Sequence, residues 1–302
     1  EVSDLHEESL TSFNDYANTH GVAVGIWTKD KLNSLPDNTS FIATTTGKKN
    51  ELKDDTTQLK THLNRRRPFI LSNNAEVGSQ AYSSFYFGDT GGNWENIGSQ
   101  VASLLGASLS GEPLTGASID GINGGGNAQI AIRDFEWKIF TPLLFNINDQ
   151  SQYSKTPFAY NPKMTKINQA YLKLRKQLKP YLYTWIYRSL NGEAIVRPLF
   201  IDFPHEKINY TEQVKHEFML GSSILVAPIT NGQETEKGDS RKNNLYLPDH
   251  RTMWIDLFTG QKYIGGRVYN KLTYPTWHLP VFVRGGAIFD LGQRNFVFYP
   301  QG

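Results

Sequence analysis

The chain has no cysteine among its 302 residues. Disulfide bonds and thiolate chemistry are therefore excluded, and the redox compartment is left open. Basic and acidic residues are also nearly equal in number. The 31 basic and 29 acidic residues give a net charge of +2, which predicts no nucleic-acid partner. No apolar run approaches the roughly 20 residues of a membrane-spanning helix, so no membrane span is predicted.

Several motifs with known chemistry are missing as well. The seven histidines are scattered, with none of the close spacings that hold a metal ion, so no metal site is predicted. The glycine-rich run GINGGGN, residues 121–127, lacks the lysine and the following helix of a phosphate-binding loop. A GxSxG nucleophile elbow is also absent. Phosphate-loop and serine-hydrolase chemistry are therefore not indicated.

The most informative stretch is AYSSFYFGDTGGNW, residues 81–94, in which Asp89 is surrounded by glycines and aromatic residues. Aromatic faces pack on the apolar faces of sugar rings, and glycines let the backbone approach a ligand closely. A carboxyl group among aromatic side chains is partly desolvated, which raises its pKa towards that of a general acid. The alternative is a surface turn that carries one solvated aspartate.

The first two thirds of the chain alternate between predicted helices and strands. Strands are predicted at residues 22–28, 40–46, 67–74 and 113–120, with a further short strand after the run DFEWKIF. Helices are predicted at residues 5–20, after Trp94, and from Met164 to Leu190, where Pro180 marks a kink or break. Polar residues and glycines cluster just after strands, as they do in (β/α)8 TIM-type barrels.

From residue 194 the pattern changes to short strands separated by turn signals. Recurrent strands at this spacing predict an antiparallel β-sandwich. The predicted fold class is therefore α/β, with part of a (β/α)8 catalytic barrel over residues 1–202. The β-sandwich follows over residues 203–302.

The predicted barrel is incomplete in this chain. About five strands precede residue 202, whereas a closed barrel has eight. A sheet of five strands would leave an edge exposed. We therefore expect the chain to be a piece of a larger protein, or a further chain or segment to complete the barrel.

Three aspartates stand at predicted strand ends: Asp30, Asp89 and Asp120. In a barrel these positions converge on one mouth, and a pair of carboxyl groups is what glycoside hydrolysis requires. Plainer interpretations also exist. Asp120 precedes a glycine, as turn aspartates often do, and Asp30 lies between two lysines as an ordinary loop charge would.

An ordered series of motifs resembles glycoside hydrolase family 31. It runs from RPFILSNN at residue 67 through FYFGDTGGNW, LTGASIDGINGG, RDFEWKIFTP and LKPYLYTW, and continues through RPLFIDFP, GSSILVAPI and WIDLFTG. The resemblance covers about three quarters of the chain. It implies a (β/α)8 barrel with a proximal C-terminal β domain, cleavage with retention, and neither metal nor organic cofactor. The runs TGGNW and RDFEWKIFTP are most similar to bacterial isomaltosyltransferases.

The resemblance also implies site residues. Asp89 falls on the general acid/base, and Asp30, in IWTKD, is the nearest match to the nucleophile. Asp120 falls near the floor of the sugar site. The other expected substrate-binding residues supply stacking surface or pocket walls: Tyr82, Trp94, Trp137 and Asn146.

This chain departs from the family pattern in three places. Tyr86 or Phe87 stands where relatives usually have a tryptophan. Ala81 stands where relatives usually have the arginine that binds substrate. Asp30 lies one place later than the W-x-D pattern puts the nucleophile. In a second alignment IWTKD is the preceding barrel strand, and the nucleophile falls near Asp37 or is missing.

Two functions follow from these observations. The first is a retaining α-glycosidase or α-glucosyltransferase that acts on α-glucans and α-linked oligosaccharides. The second is a catalytically degenerate relative that binds carbohydrate or protein within a larger assembly. Turnover of α-glucosides distinguishes the two.

Overall fold

The computed structural model describes residues 7–28, 35, 39–63, 67–87, 91–147, 153–235 and 238–288. The chain divides into two compact units, residues 1–88 and 89–302. Among the described residues, no helix is both long enough and apolar enough to cross a membrane.

The first unit is built on parallel strands. Its elements are α1 (Glu7–Thr19), β1 (Gly25–Thr28), β2 (Phe41–Thr44), α2 (Lys49–His62), β3 (Ile70–Ser72) and β4 (Ser84–Tyr86). Neighbouring strands pair in the order β1-β2-β3-β4, and every pair is parallel. Parallel neighbours need a crossover connection, which α2 supplies between β2 and β3. The expected strands at residues 22–28, 40–46 and 67–74 are thus present in shortened form.

An aliphatic core explains the positions of these elements. Ile42, Leu52 and Leu59 are fully buried, and Ile26 and Ile70 pack with them. Leu52 and Leu59 are seven residues apart on α2, so they lie on the same face of that helix. This face covers the sheet and removes its apolar side from water.

The helices of the second unit begin at side-chain caps. They are α3 (Trp94–Leu109), α4 (Ala128–Lys138), α5 (Pro162–Ser189) and α6 (Leu199–Asp202). Asn93, Asn127 and Asn161 accept hydrogen bonds from free backbone N–H groups in the first turns of α3, α4 and α5. The helix α5 continues through Pro180, where the sequence indicated a kink or break.

The rest of the second unit is antiparallel apart from one very short strand near its start. Its strands are β5 (Thr115–Gly116), β6 (Val196–Pro198), β7 (Phe218–Leu220), β8 (Ile224–Val226), β9 (Ser240–Lys242), β10 (Leu245–Leu247), β11 (Met253–Asp256), β12 (Lys262–Ile264), β13 (Arg267–Tyr269), β14 (Leu272–Tyr274) and β15 (Val281–Arg284). An antiparallel sheet runs in the order β12-β11-β15-β8-β7-β6. The pairs β10-β13 and β14-β9 are also antiparallel. Antiparallel sheets over this region confirm the predicted change of architecture.

The segment 194–203 differs from the continuous strand that its composition suggests. The strand β6 ends at Pro198, which has no N–H to donate to a sheet. The next residues turn into the short helix α6. Arg197 holds this turn through its Nη2, which lies 2.8 Å from Oδ1 of Asp202.

The helix α4 is unusual because its charged side chains are buried. Arg133, Asp134, Glu136 and Lys138 are 0%, 3%, 0% and 1% exposed. Arg133 Nη1 donates to Glu136 Oε2 at 2.9 Å and to the carbonyl of His278 at 3.1 Å. Its Nη2 donates to the carbonyl of Tyr274 at 2.8 Å. Arg133 therefore ties α4 to the antiparallel part of the second unit.

This connection gives a stability prediction. Arg133→Leu leaves Glu136 buried without its ion-pair partner, so we expect the free energy of unfolding to fall by about 3–5 kcal/mol. Urea denaturation followed by tryptophan fluorescence measures it. The matched variant is Arg188→Leu, whose pair with Glu193 is half exposed and 3.6 Å long. This second change should stay within about 1 kcal/mol, and equal losses in the two variants would contradict the role of Arg133.

Candidate active site

The two expected catalytic aspartates, Asp30 and Asp89, lie outside the described residues, as does Asp37. The other expected site residues are described: Tyr82, Trp94, Asp120, Trp137 and Asn146. The assignment of Asp30 and Asp89 therefore stays a prediction. The geometry reported below concerns Asp120 and the groups around it.

Asp120 has a left-handed backbone conformation and is almost completely buried. Its φ is +59°, a region that L-residues other than asparagine and aspartate rarely adopt. Its backbone N–H donates to Oδ2 of Asp134 at 2.6 Å. Its side-chain Oδ2 accepts a hydrogen bond from the hydroxyl of Tyr160, also at 2.6 Å. Residues with special backbone angles and fixed partners of this kind cluster at functional sites.

The Asp120 loop rests on an ion pair within α4. Lys138 Nζ lies 2.5 Å from Oδ2 of Asp134 and donates to the carbonyl of Ser118 at 2.6 Å. Trp137 Nε1 donates to the other oxygen of Asp134 at 3.0 Å. One turn of helix thus supplies a base for the loop, and Asp134 is the shared acceptor.

A second lysine holds the other side of the same loop. Lys155 Nζ donates to the carbonyl of Gly121 at 2.7 Å and also to that of Ile122. Asn146 contributes indirectly, since its side-chain amide donates to the backbone carbonyl of Lys155. The predicted site residues Asp120, Trp137 and Asn146 are therefore linked through Asp134 and Lys155.

Glycines bring two loops into direct backbone contact at Asp120. A side-chain carbon at Gly92 would overlap Oδ1 of Asp120, and one at Gly124 would overlap the backbone nitrogen of Gly92. Only glycine leaves room for this approach. Gly92 belongs to the run of residues 81–94 that the sequence singled out, so the end of that run lies against Asp120.

The electrostatics of the loop depend mainly on burial. Loss of water contact raises the pKa of Asp120 to about 6, and the nearby charge of Asp134 acts in the same direction. The hydrogen bond from Tyr160 and the charges of Lys155 and Lys138 oppose that rise. Burial also lowers the pKa of Lys138, while Asp134 opposes that change. Burial is therefore the main reason that the pKa of Asp120 lies above its usual value.

The aromatic residues among the predicted site residues are held by packing contacts of their own. Tyr82, in the first unit, packs against the aliphatic core of that unit. Trp94 opens α3, and a carbon at Gly232 would lie 2.7 Å from its Nε1. Trp137 is 1% exposed, and its ring meets that of Phe218 edge to face at 6.4 Å. Any contact of Trp137 with a ligand would require this packing to open.

Four residues of the arrangement did not emerge from the sequence: Asp134, Lys138, Lys155 and Tyr160. Asp134 and Lys138 are four residues apart on one helix, a spacing that could have indicated a pair. Lys155 and Tyr160 reach the loop from more than thirty positions away, as shown by their separations of 34 and 40 residues from Gly121 and Asp120. Among the described residues, no three His, Cys, Asp or Glu side chains are grouped as a metal site.

Parallel strands alternating with helices, followed by an antiparallel domain, are the architecture of part of an α/β barrel joined to a β domain. The model of the glycosyl hydrolases family 31 TIM-barrel domain matches residues 10–185. That of the family 31 C-terminal domain matches residues 192–289. The chain belongs to glycosyl hydrolase family 31, and the predicted fold class is confirmed.

Curated relatives include glycosidases of known class. An alpha-xylosidase of Saccharolobus solfataricus is 31% identical over 242 residues, which are 77% of this chain and 31% of the relative. Alpha-glucosidase 2 of Bacillus thermoamyloliquefaciens is 28% identical over 235 residues, which are 78% and 28% of the two chains. The chain thus spans less than a third of the length of these two relatives.

Solved structures agree on the fold. The cycloalternan-forming enzyme from Listeria monocytogenes, in complex with a pentasaccharide substrate, superposes with a TM-score of 0.77 at 17% identity. The superposed region is 92% of this chain and 34% of the chain of that enzyme. A Flavobacterium johnsoniae family 31 dextranase, complexed with glucose, gives a TM-score of 0.71 at 22% identity. The superposed region is 93% of this chain and 36% of the dextranase chain.

The pKa of Asp120 leads to a pH prediction. The folded chain holds the Asp120 proton more tightly than the unfolded chain does between about pH 4 and 6, so the free energy of unfolding should fall as pH rises through that window. The variant Asp120→Asn has no carboxyl group at this position, so its stability should not show this fall with pH. The stability of the variant relative to wild type should therefore increase by up to about 3 kcal/mol between pH 4 and 7.

Urea denaturation at several pH values measures the difference. Tyr160→Phe serves as the companion variant. Because the Tyr160 hydrogen bond favours the charged carboxylate, its removal should raise the folded-state pKa of Asp120 and extend the upper end of the window to higher pH. A difference between Asp120→Asn and wild type that does not vary with pH would show that Asp120 does not titrate in this range.

Proposed function

We propose that this chain provides the catalytic barrel segment and the C-terminal β domain of a retaining α-glycosidase or α-glucosyltransferase. The substrates would be α-glucans and α-linked oligosaccharides. Family membership supports the reaction class, and the names of the relatives support the α-linked substrate. We keep the division into residues 1–202 and 203–302 as part of the proposal, and the two separate family matches support two domains.

The observation that carries the proposal is the built loop around Asp120. A carboxyl group with a raised pKa accepts a hydrogen bond from Tyr160 and lies against Gly92. The backbone around it is held by one aspartate and two lysines: Asp134, Lys138 and Lys155. Burial of so many charged groups around one loop costs stability, and it is typical of sites where geometry must be fixed before the ligand arrives. A solvated surface turn would need none of these contacts.

In the proposed reaction, Asp89 protonates the glycosidic oxygen while the carboxylate of Asp30 attacks the anomeric carbon. The bond to the leaving group breaks and a glycosyl ester on Asp30 forms. Asp89, now a carboxylate, accepts a proton from water or from a sugar hydroxyl that attacks the ester. The two carboxyl groups of a retaining enzyme lie about 5–5.5 Å apart.

The other predicted residues take supporting roles in the proposal. Asp120 and Asn146 shape the floor of the sugar site, the first by its carboxyl group and the second through Lys155. Trp137 fixes Asp134 beneath that floor, and Tyr82 and Trp94 supply aromatic surface. We also propose that the chain belongs to the isomaltosyltransferase-like subgroup. The similarity of its fold to a cycloalternan-forming enzyme is in keeping with that subgroup.

A degenerate relative is the second candidate, and Ala81 is the observation that favours it. Ala81 ends the short 3-10 helix Ser79–Ala81 and is exposed, so no guanidinium reaches the substrate from this position. A protein of this kind would bind α-linked oligosaccharides without cleaving them.

The leaving group gives a sharp test of Asp89. Asp89→Asn should lower kcat/KM on isomaltose by about 10²–10⁴-fold, because the glycosidic oxygen no longer receives a proton. A dinitrophenyl α-glucoside needs no such proton, so the first step on this substrate should be much less affected. Asp30→Asn should lose activity on both substrates by about 10⁴-fold or more.

Initial rates on the two substrates, with the protein carrying this chain, measure the effect. Equal losses on both substrates in Asp89→Asn would remove the acid/base assignment. Wild-type protein that binds isomaltose in calorimetry but cleaves neither substrate would establish the degenerate relative instead.

A further inference from the structure

The segment of residues 153–160 is fastened to the Asp120 loop at two points. Lys155 donates to the carbonyls of Gly121 and Ile122, and it is only 4% exposed. At the other end, the hydroxyl of Tyr160 accepts the backbone N–H of Gly126 at 3.1 Å while it donates to Asp120. The segment therefore keeps a fixed position beside the loop before any ligand binds.

Tyr153 begins this segment, and its ring lies on the glycine run of the loop. A side-chain carbon at Gly126 would lie 2.9 Å from Cζ of Tyr153 and 3.2 Å from its Cε1. The backbone of Gly126 has a φ of +87°, which favours glycine for a second reason. The absence of a side chain at Gly126 thus leaves the space that the ring occupies.

Much of the Tyr153 ring nevertheless remains open to water. The residue is 53% exposed, and Phe158 in the same segment is 69% exposed. A large aromatic ring that is fixed on one side and open on the other loses little freedom when a ligand packs on it. Because both rings are largely exposed, packing within the protein does not account for two large aromatic residues in this short segment.

We propose that Tyr153 forms a stacking platform for a sugar unit beyond the one that is cleaved, in an α-linked oligosaccharide bound at the Asp120 loop. The proposal rests on the proposed function for its ligand class. The amphipathic face of a pyranose suits an aromatic ring with a polar edge. Lys155 gives its donors to backbone carbonyls, so the segment does not present this charge to a phosphate.

The connection to Asp120 explains why a longer ligand would reach the platform. A single atom, the hydroxyl oxygen of Tyr160, contacts both the Asp120 carboxyl and the N–H of Gly126, on which Tyr153 rests. A ligand held at Asp120 therefore extends towards the ring within a short span. Glucose alone would occupy only the position at Asp120.

Binding measured as a function of ligand length tests the platform. In calorimetry, Tyr153→Ala should weaken isomaltotriose binding about 3- to 10-fold, the effect of losing one aromatic stacking contact. Its affinity for glucose should stay unchanged. Tyr153→Phe keeps the ring and should stay within about twofold of wild type for both ligands. The matched control is Tyr183→Ala, which removes a ring that is 61% exposed on α5 and should change neither affinity.

The outcomes separate this inference from the proposed function. If wild-type protein binds isomaltotriose more tightly than glucose and Tyr153→Ala loses this difference, the platform is supported. This holds even if no aryl α-glucoside is cleaved, because that result contradicts only the proposed activity. Active protein whose Tyr153→Ala variant keeps wild-type affinity for isomaltotriose overturns the platform alone. Equal weakening for glucose and isomaltotriose also overturns it, as does failure of the wild-type chain to bind isomaltotriose.

Discussion

The pair between Lys138 and Asp134 is the interaction on which the site depends. Asp134 receives the backbone N–H of Asp120, the indole N–H of Trp137 and the ammonium group of Lys138. Little more than one turn of a buried helix thus fixes both the backbone and the surroundings of the Asp120 loop. On the same helix Arg133 bonds to carbonyls of the antiparallel part of the unit. α4 therefore serves the site and the domain together.

Buried charges of this kind lower the stability of the fold but define its local geometry. Removing a carboxylate or an ammonium group from water costs several kcal/mol, and an ion pair offsets this only when its remaining hydrogen bonds are satisfied. Apolar residues of similar volume would often give equal stability. Three of the four charged residues of α4, Arg133, Asp134 and Lys138, bond to backbone groups outside the helix and so orient the segments packed on it.

The sequence was sufficient for the broad architecture and for the position of the glycine-rich loops. Alternating strand and helix patterns, then short strands, reflect local periodicity, which a sequence displays directly. The contacts of Asp120 could not be predicted in the same way. Tyr160 and Lys155 meet the loop only after the chain has folded, and a run such as DFEWK normally indicates a partly solvated helix because charged residues are rarely buried. The nucleophile depends on an alignment that local pattern does not decide.

The retaining reaction proposed above requires Asp30 as nucleophile and Asp89 as acid/base. A fluorinated glucosyl fluoride that forms the glycosyl-enzyme quickly and releases it slowly tests it most directly. Mass spectrometry of the intact protein and of its peptides locates the attached sugar. We expect one sugar per chain, on the peptide that contains Asp30. Attachment to another carboxylate would contradict the assignment, and no attachment in protein shown to bind the reagent would contradict the retaining mechanism.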